Sequence, residues 1–187
     1  MSNLSSSGTP MAASPLTRAV LEIDEYVAGA GWDQPAKLFA LVDTARLQAQ
    51  EPKLRAKLAG APTDGPPAPS YTAVLQDEVP AGTPLDRFLG TLQWPEAVIG
   101  CALTVERLML PPSAEANVPE DMSEKELAAW VAGHPERQEV RLTVGVLRKG
   151  GRESAVRLRA KDSASEVLTG ADLVPGLADA LAATFEA

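Results

Sequence analysis

Residues 137–162 read RQEVRLTVGVLRKGGRESAVRLRAKD. The first arm alternates Val140, Leu142, Val144 and Val146 with Arg141, Thr143, Gly145 and Leu147, and the second alternates Val156, Leu158 and Ala160 with Arg157, Arg159 and Lys161. Period-two patterning around a glycine pair is the signature of a β-hairpin. A two-residue turn at Gly150-Gly151 sets Val144 against Arg157 and mixes the faces. A three-residue loop, Lys149-Gly150-Gly151, sets Val144 against Val156, Leu142 against Leu158 and Val140 against Ala160. Gly151 then supplies the left-handed residue that such a loop ends on.

This register carries a charge problem. Between Arg137 and Lys161 stand eight basic residues and two acidic ones, in a chain of 17 bases and 25 acids. Arg141 is expected opposite Arg159, Arg157 opposite Thr143, and Gly145 opposite Ala155. Directly opposed like charges cost ~0.2–1 kcal/mol unless something answers them. Residues 97–110, AVIGCALTVERLML, read as a long strand that also divides by face. Ile99, Cys101, Leu103 and Val105 take one side; Gly100, Ala102, Thr104 and Glu106 take the other. Side by side, the two segments make a floor of small residues bordered by arginines, with Arg141, Thr143, Gly145, Arg157 and Arg159 as its candidate binding residues. Three occupants suit it: an acidic helix of the same chain bearing Glu22, Asp24 and Glu25, a protein partner or second copy, or a small anionic metabolite clamped by arginine pairs.

Outward from the hairpin the reading is mainly helical. Residues 1–14 are small, polar and aperiodic, a disordered tail. Pro15 opens a helix to Ala28 with Leu16, Val20, Ile23 and Val27 on one face. Pro35 suggests a second helix, with Leu38, Leu41, Val42 and Ala45 as its stripe. The segment AGAPTDGPPAPS (59–70) is a surface loop, because four prolines and two glycines defeat helix and ladder alike. Tyr71–Val79 alternates as a strand. Thr83-Pro84 starts a short helix with Leu85, Phe88, Leu89 and Leu92 inward. Ser123 and Glu126 form a capping box for a helix with Leu127, Trp130 and Val131 covered. Thr169-Gly170-Ala171 is a turn, and a last helix spans Pro175–Phe185.

Composition narrows the function classes. A formal charge of −8 and 4% aromatic content disfavour nucleic acid and anionic membranes as partners. The N-terminal residues lack the basic and apolar regions of a secretory signal, and the longest apolar run is too short to span a bilayer. One cysteine excludes an internal disulfide, so a cytoplasmic setting is expected. The single histidine, His134, sits between Gly133 and Pro135 as a helix-end or surface residue, and Cys101 falls on an apolar strand face as an inert thiol. One His and one Cys make no zinc site, and the acidic residues lack EF-hand spacing. Neither the phosphate-binding nor the dinucleotide glycine pattern occurs. No catalytic residue, metal or cofactor is therefore assigned.

The strings GWDQPAKLFALVDTARL (31–47), WPEAVIGCALTVERLMLPP (94–112), HPERQEVRLTVGVLRKGG (134–151) and VLTGADLVPGLADALAATF (167–185) together resemble an uncharacterised protein family of high-GC actinobacteria. The resemblance covers most of the chain from residue 15 onward and leaves the proline loop outside. It implies a lineage and a cytoplasmic setting, and no catalytic residue. In outline the chain is also similar to secretion-chaperone-like folds, which dimerise and bind other chains.

The expectation is one α+β domain over 15–187, built on a twisted, mainly antiparallel sheet with flanking helices. Its expected role is a non-enzymatic cytoplasmic interaction or adaptor protein, with a homodimer as one form. The alternative is a small-ligand sensor or enzyme that holds an anionic metabolite on the same arginine-bordered face.

Overall fold

The computed structural model of the protein describes residues 14–50, 70–79 and 83–186. The tail at 1–13 and the loop at 59–69 lie outside the described residues. Six strands form one sheet: β1 (Lys37–Asp43), β2 (Tyr71–Glu78), β3 (Val98–Met109), β4 (Gln138–Leu147), β5 (Arg152–Leu158) and β6 (Leu168–Gly170). Their spatial order is β2-β1-β3-β4-β5-β6, and every neighbouring pair is antiparallel. The helices are α1 (Pro15–Ala28), α2 (Thr44–Gln50), α3 (Leu85–Leu89), α4 (Pro112–Glu115), α5 (Glu124–Gly133) and α6 (Pro175–Ala183).

The sheet has two covered faces. On one, α1 lays Leu16, Ala19, Val20, Ile23 and Val27 against Phe39, Leu41, Ala102 and Ala155. On the other, Leu38, Cys101, Leu103, Val144 and Val146 meet Ala178 and Leu181 of α6 and Leu89 of α3. The face division expected for β3 holds, with Cys101 and Leu103 on one side and Ala102 on the other. α1 has the expected bounds, and Ser14 belongs to its start, since the Ser14 hydroxyl accepts from Thr17 N–H at 3.1 Å.

Four expectations are corrected. Residues 37–43 form a strand where the stripe Leu38, Leu41, Val42 suggests a helix. β1 is buried on both faces between β2 and β3, so its side chains are apolar without alternation, and such a run satisfies helical spacing by accident. The hairpin loop is Arg148-Lys149-Gly150, one residue earlier than expected: Gly150 N–H donates to Leu147 C=O and Leu147 N–H to Gly151 C=O, both at 3.0 Å. Gly150 and Gly151 both take positive φ, +95° and +107°, so closing the loop uses both glycines. The register slips by two, which preserves the faces but sets Val144 opposite Ser154, Leu142 opposite Val156 and Arg141 opposite Arg157. Third, Leu168–Gly170 is a short edge strand on β5, with the turn starting only after it. Fourth, α5 forms its capping box, yet none of its residues is buried and Leu127 is exposed. Its existence comes from local signals, and of the expected covered face Trp130 and Val131 are only half-buried.

Candidate functional site

The slipped register decides what happens to the arginines. Arg141 and Arg157 stand opposite each other beneath α1, and Arg159 leaves the sheet in a 3-10 turn. Arg141 and Arg157 are almost wholly buried, at 1% and 4% exposure. Helix α1 therefore occupies the small-residue floor. A Cβ on Gly145 would stand 2.8 Å from Val20 Cγ2 and 3.3 Å from Leu16 Cδ1, so the missing side chain is what admits the helix.

Each guanidinium finds a different answer. Arg157 meets Asp24 of α1 through Nη2 at 2.7 Å and Nε at 3.1 Å, and its Nη1 reaches Asp162 at 3.0 Å. These carboxylates hold the Arg157 pKa above its ordinary value, with the Asp24 hydrogen bonds as the main cause. The helix suggested as the acidic cover is the right one, and Asp24 is its buried acid; Glu22 and Glu25 are exposed. Arg141 is held by a carbonyl, a ring and a distant acid. Its Nη2 donates to Gly31 C=O, its guanidinium lies 4.5 Å from the Trp32 ring centre, and Glu106 is 3.5 Å away. Among the described residues, Arg141 Nε and Nη1 have no hydrogen-bond partner, nor do the buried hydroxyls of Thr104 and Thr143.

The segment after α1 closes this end of the face. Gly31 and Asp33 both take positive φ, +86° and +65°, which turns the chain sharply around Trp32. Glu106 accepts from the backbone N–H groups of Asp33 at 2.8 Å and Gln34 at 2.7 Å. Trp32 Nε1 donates to Asp162 at 3.0 Å, and Arg159, 5.5 Å from the ring centre, pairs with Asp33 at 3.0 Å and Glu139 at 3.4 Å. The Arg159 guanidinium holds the Asp33 carboxyl below its usual range, and the Trp32 N–H, followed by Arg157, does the same for Asp162. Of the five candidate binding residues, Arg141, Thr143, Gly145 and Arg157 come together beneath α1, while Arg159 sits at the rim. Trp32, Asp33 and Asp162 complete the cluster and were not singled out from the sequence; the Gly-Ala-Gly break before Trp32 was their signal.

His134 and Cys101 both lie apart from this cluster. His134 is the C-cap residue of α5, tilted on Trp130 at 4.9 Å, and its Nδ1 accepts from Glu136 N–H. Burial pushes the Cys101 thiol up to about 12, far from the thiolate range of a nucleophile. Among the described residues no group of His, Cys, Asp and Glu could hold a metal ion, and no helix is long and apolar enough to cross a membrane.

Exposed apolar surface lies at the opposite end of the sheet, besides that at Leu108, Met109 and Leu173. Tyr26 of α1 is 63% exposed, and Val74 and Leu75 of β2 are 42% and 44% exposed. A groove of about 670 Å³ runs between α1 and β2, floored by Phe39, Tyr71, Ala73 and Leu75. A second, of about 360 Å³, lies on the other side of the same strand beside Val42, Val74, Phe88 and Leu92.

Comparison with curated proteins and with solved structures returns no match. A family model does match, over residues 16–186, which spans α1 through the residues just after α6 and so takes in the whole sheet. The chain belongs to the PPA1309-like protein family.

Proposed function

We propose that the protein is a non-enzymatic interaction or adaptor protein that works in the cytoplasm by binding another polypeptide. One observation carries this reading: Tyr26 and Leu75, both large and apolar, stand exposed together on one side of the β2 edge, with Val74 exposed on its other side. Contiguous exposed apolar surface on a small domain marks an interaction site. Because α1 lies on the arginine-bordered face, the proposed surface is this edge. A second copy of the chain is the competing occupant and is tested below. The reading is tested by placing a photocrosslinking side chain at Leu75 in the native cell, with a matched probe at the exposed Lys125 of α5. A discrete polypeptide adduct at Leu75 alone is expected. Lack of any polypeptide adduct there would remove the reading.

The anionic-metabolite alternative has its own support in Arg141, whose Nε and Nη1 are unpartnered beside the unpartnered hydroxyls of Thr104 and Thr143. Buried donors of this kind call for a small acceptor, be it water or an anion. Phosphate or acetate raising the Tm of the wild type, and leaving that of Arg141→Met unchanged, would favour this second reading. Equal responses would leave water as the acceptor.

A further inference from the structure

The open edge beside Tyr26 has a hydrogen-bonding pattern that can be read from the ladder. Thr44 N–H donates to Ser70 C=O at 3.0 Å, and the β1–β2 register pairs Val42 with Thr72 and Ala40 with Val74. Antiparallel pairs alternate between hydrogen-bonded and non-bonded, so Ser70, Thr72 and Val74 turn their backbone groups to β1. Tyr71, Ala73 and Leu75 turn theirs outward. The opposite end of the sheet gives the same phase: Arg148 N–H donates to Ile99 C=O, which through the β3–β4 and β1–β3 registers again turns Ala40 toward β2. Among the described residues β2 pairs only with β1.

A strand added at this edge sends alternate side chains to opposite faces. One set falls toward the groove by Tyr26 and Leu75, the other toward the groove by Val74 and Phe88. Both grooves are mainly apolar. Among the described residues, Glu22 is the charged group lining the first, and none of those lining the second is charged. Asp43 and Glu78 stand at the two ends of the β1–β2 ladder. Glu78 lies on β2 opposite Lys37, and Asp43 on the inner strand, so an incoming segment meets chiefly Glu22 in the first groove and Glu78 at the edge. A second copy would bring the same carboxylates to the same edge, between chains that each carry a formal −8.

Resting on the interaction reading above, we propose that the outer edge of β2 accepts one strand from a partner protein: an extended segment of alternating apolar residues flanked by lysine or arginine. Backbone bonds to Tyr71, Ala73 and Leu75 supply affinity, and the two grooves with Glu22 supply selectivity.

The test uses the full chain and a displayed library of random twelve-residue peptides. Enriched peptides are expected to alternate apolar residues beside Lys or Arg, and the tightest of them to slow amide exchange at Tyr71, Ala73 and Leu75 by about tenfold or more. Ala73→Pro removes an outward N–H without touching the β1 ladder, and should weaken binding by about tenfold. Glu22→Lys, an exposed change that leaves the core intact, should weaken binding severalfold and flatten its salt dependence. Peptides whose footprint falls on Leu108, Met109 and Leu173 would overturn the β2 site while leaving the interaction reading standing. A peptide-free dimer with protected Tyr71, Ala73 and Leu75 would assign the edge to a second copy and overturn the proposal. A library that yields no binder would also overturn it, and the crosslinking at Leu75 then decides the broader reading on its own.

Discussion

Asp24 on α1 and Arg157 on β5 lie 133 residues apart in sequence and meet in a nearly solvent-free pair, with side chains 2% and 4% exposed. Nη2 and Nε of the guanidinium both reach Oδ2 of the carboxylate, and Nε lies 3.3 Å from Oδ1. The opposed arginine of β4 has only the looser carboxylate contact with Glu106 at 3.5 Å, so the two neighbours should respond differently to losing a partner. Asp24→Ala leaves Arg157 buried and half answered. Urea unfolding should show a loss of about 3 kcal/mol, the low end for breaking a buried pair, because Asp162 still holds Nη1. Arg141→Met should fall within about 1 kcal/mol of the wild type, since it deletes two unpartnered donors and Glu106 keeps its backbone donors. Arg141→Met costing as much as Asp24→Ala would show that the Trp32 stack and Gly31 carbonyl hold the site.

Acid should loosen the rim. Asp33 and Asp162 have carboxyl pKa values lowered by Arg159 and by the Trp32 N–H respectively. A carboxyl lowered on folding adds stability that is complete above its unfolded value of about 3.9, and that is lost as pH falls through the lower folded value. The Tm difference between the wild type and Arg159→Met should therefore stay constant above about pH 5 and shrink below about pH 4. Calorimetry across that range checks the sign; a difference that grows on acidification would reverse it.

Two glycines should rank by what their missing side chains face. A Cβ on Gly100 would stand 2.5 Å from the Val146 carbonyl oxygen, part of the sheet backbone. At Gly145 the nearest atoms are the side-chain ends of Val20 and Leu16, which α1 can shift. Overpacking costs ~1–3 kcal/mol, with Gly100→Ala expected near the top of that range and Gly145→Ala near the bottom. Only Gly145→Ala should speed amide exchange in α1.

Cys101 should be silent. Its thiol, raised to about 12, sits 3.9 Å from Leu181 C=O beneath α6. Iodoacetamide should label it only at the global unfolding rate, so labelling in native buffer that outruns unfolding would mean that α6 opens locally.

Legibility followed the kind of signal. α1 was readable to the residue because Pro15 and the Gly29 to Gly31 break coincide with a one-sided stripe. The hairpin's faces were readable because they depend only on parity; its register was not, since it hangs on which glycine closes the turn, and both take positive φ. β1 was illegible because burial on both faces erases the period that separates strand from helix. At the site, phase gave the arginine floor and charge gave α1 as a possible cover. The choice of Asp24 over Glu22 and Glu25 depends on the helix's rotation against Gly145. The Trp32 cluster depends on Glu106, 72 residues from Gln34, which no local pattern could supply.

The docking of α1 also sets an order of events during synthesis. The β4 and β5 surface beneath this helix is made more than a hundred residues after it. At 5–20 residues per second, the helix's apolar stripe waits roughly 6–25 seconds for the Gly145 seat and the Arg157 counter-charge to emerge. During that interval Leu16, Val20, Ile23 and Val27 lack the β4–β5 part of their cover, and the last hairpin supplies it.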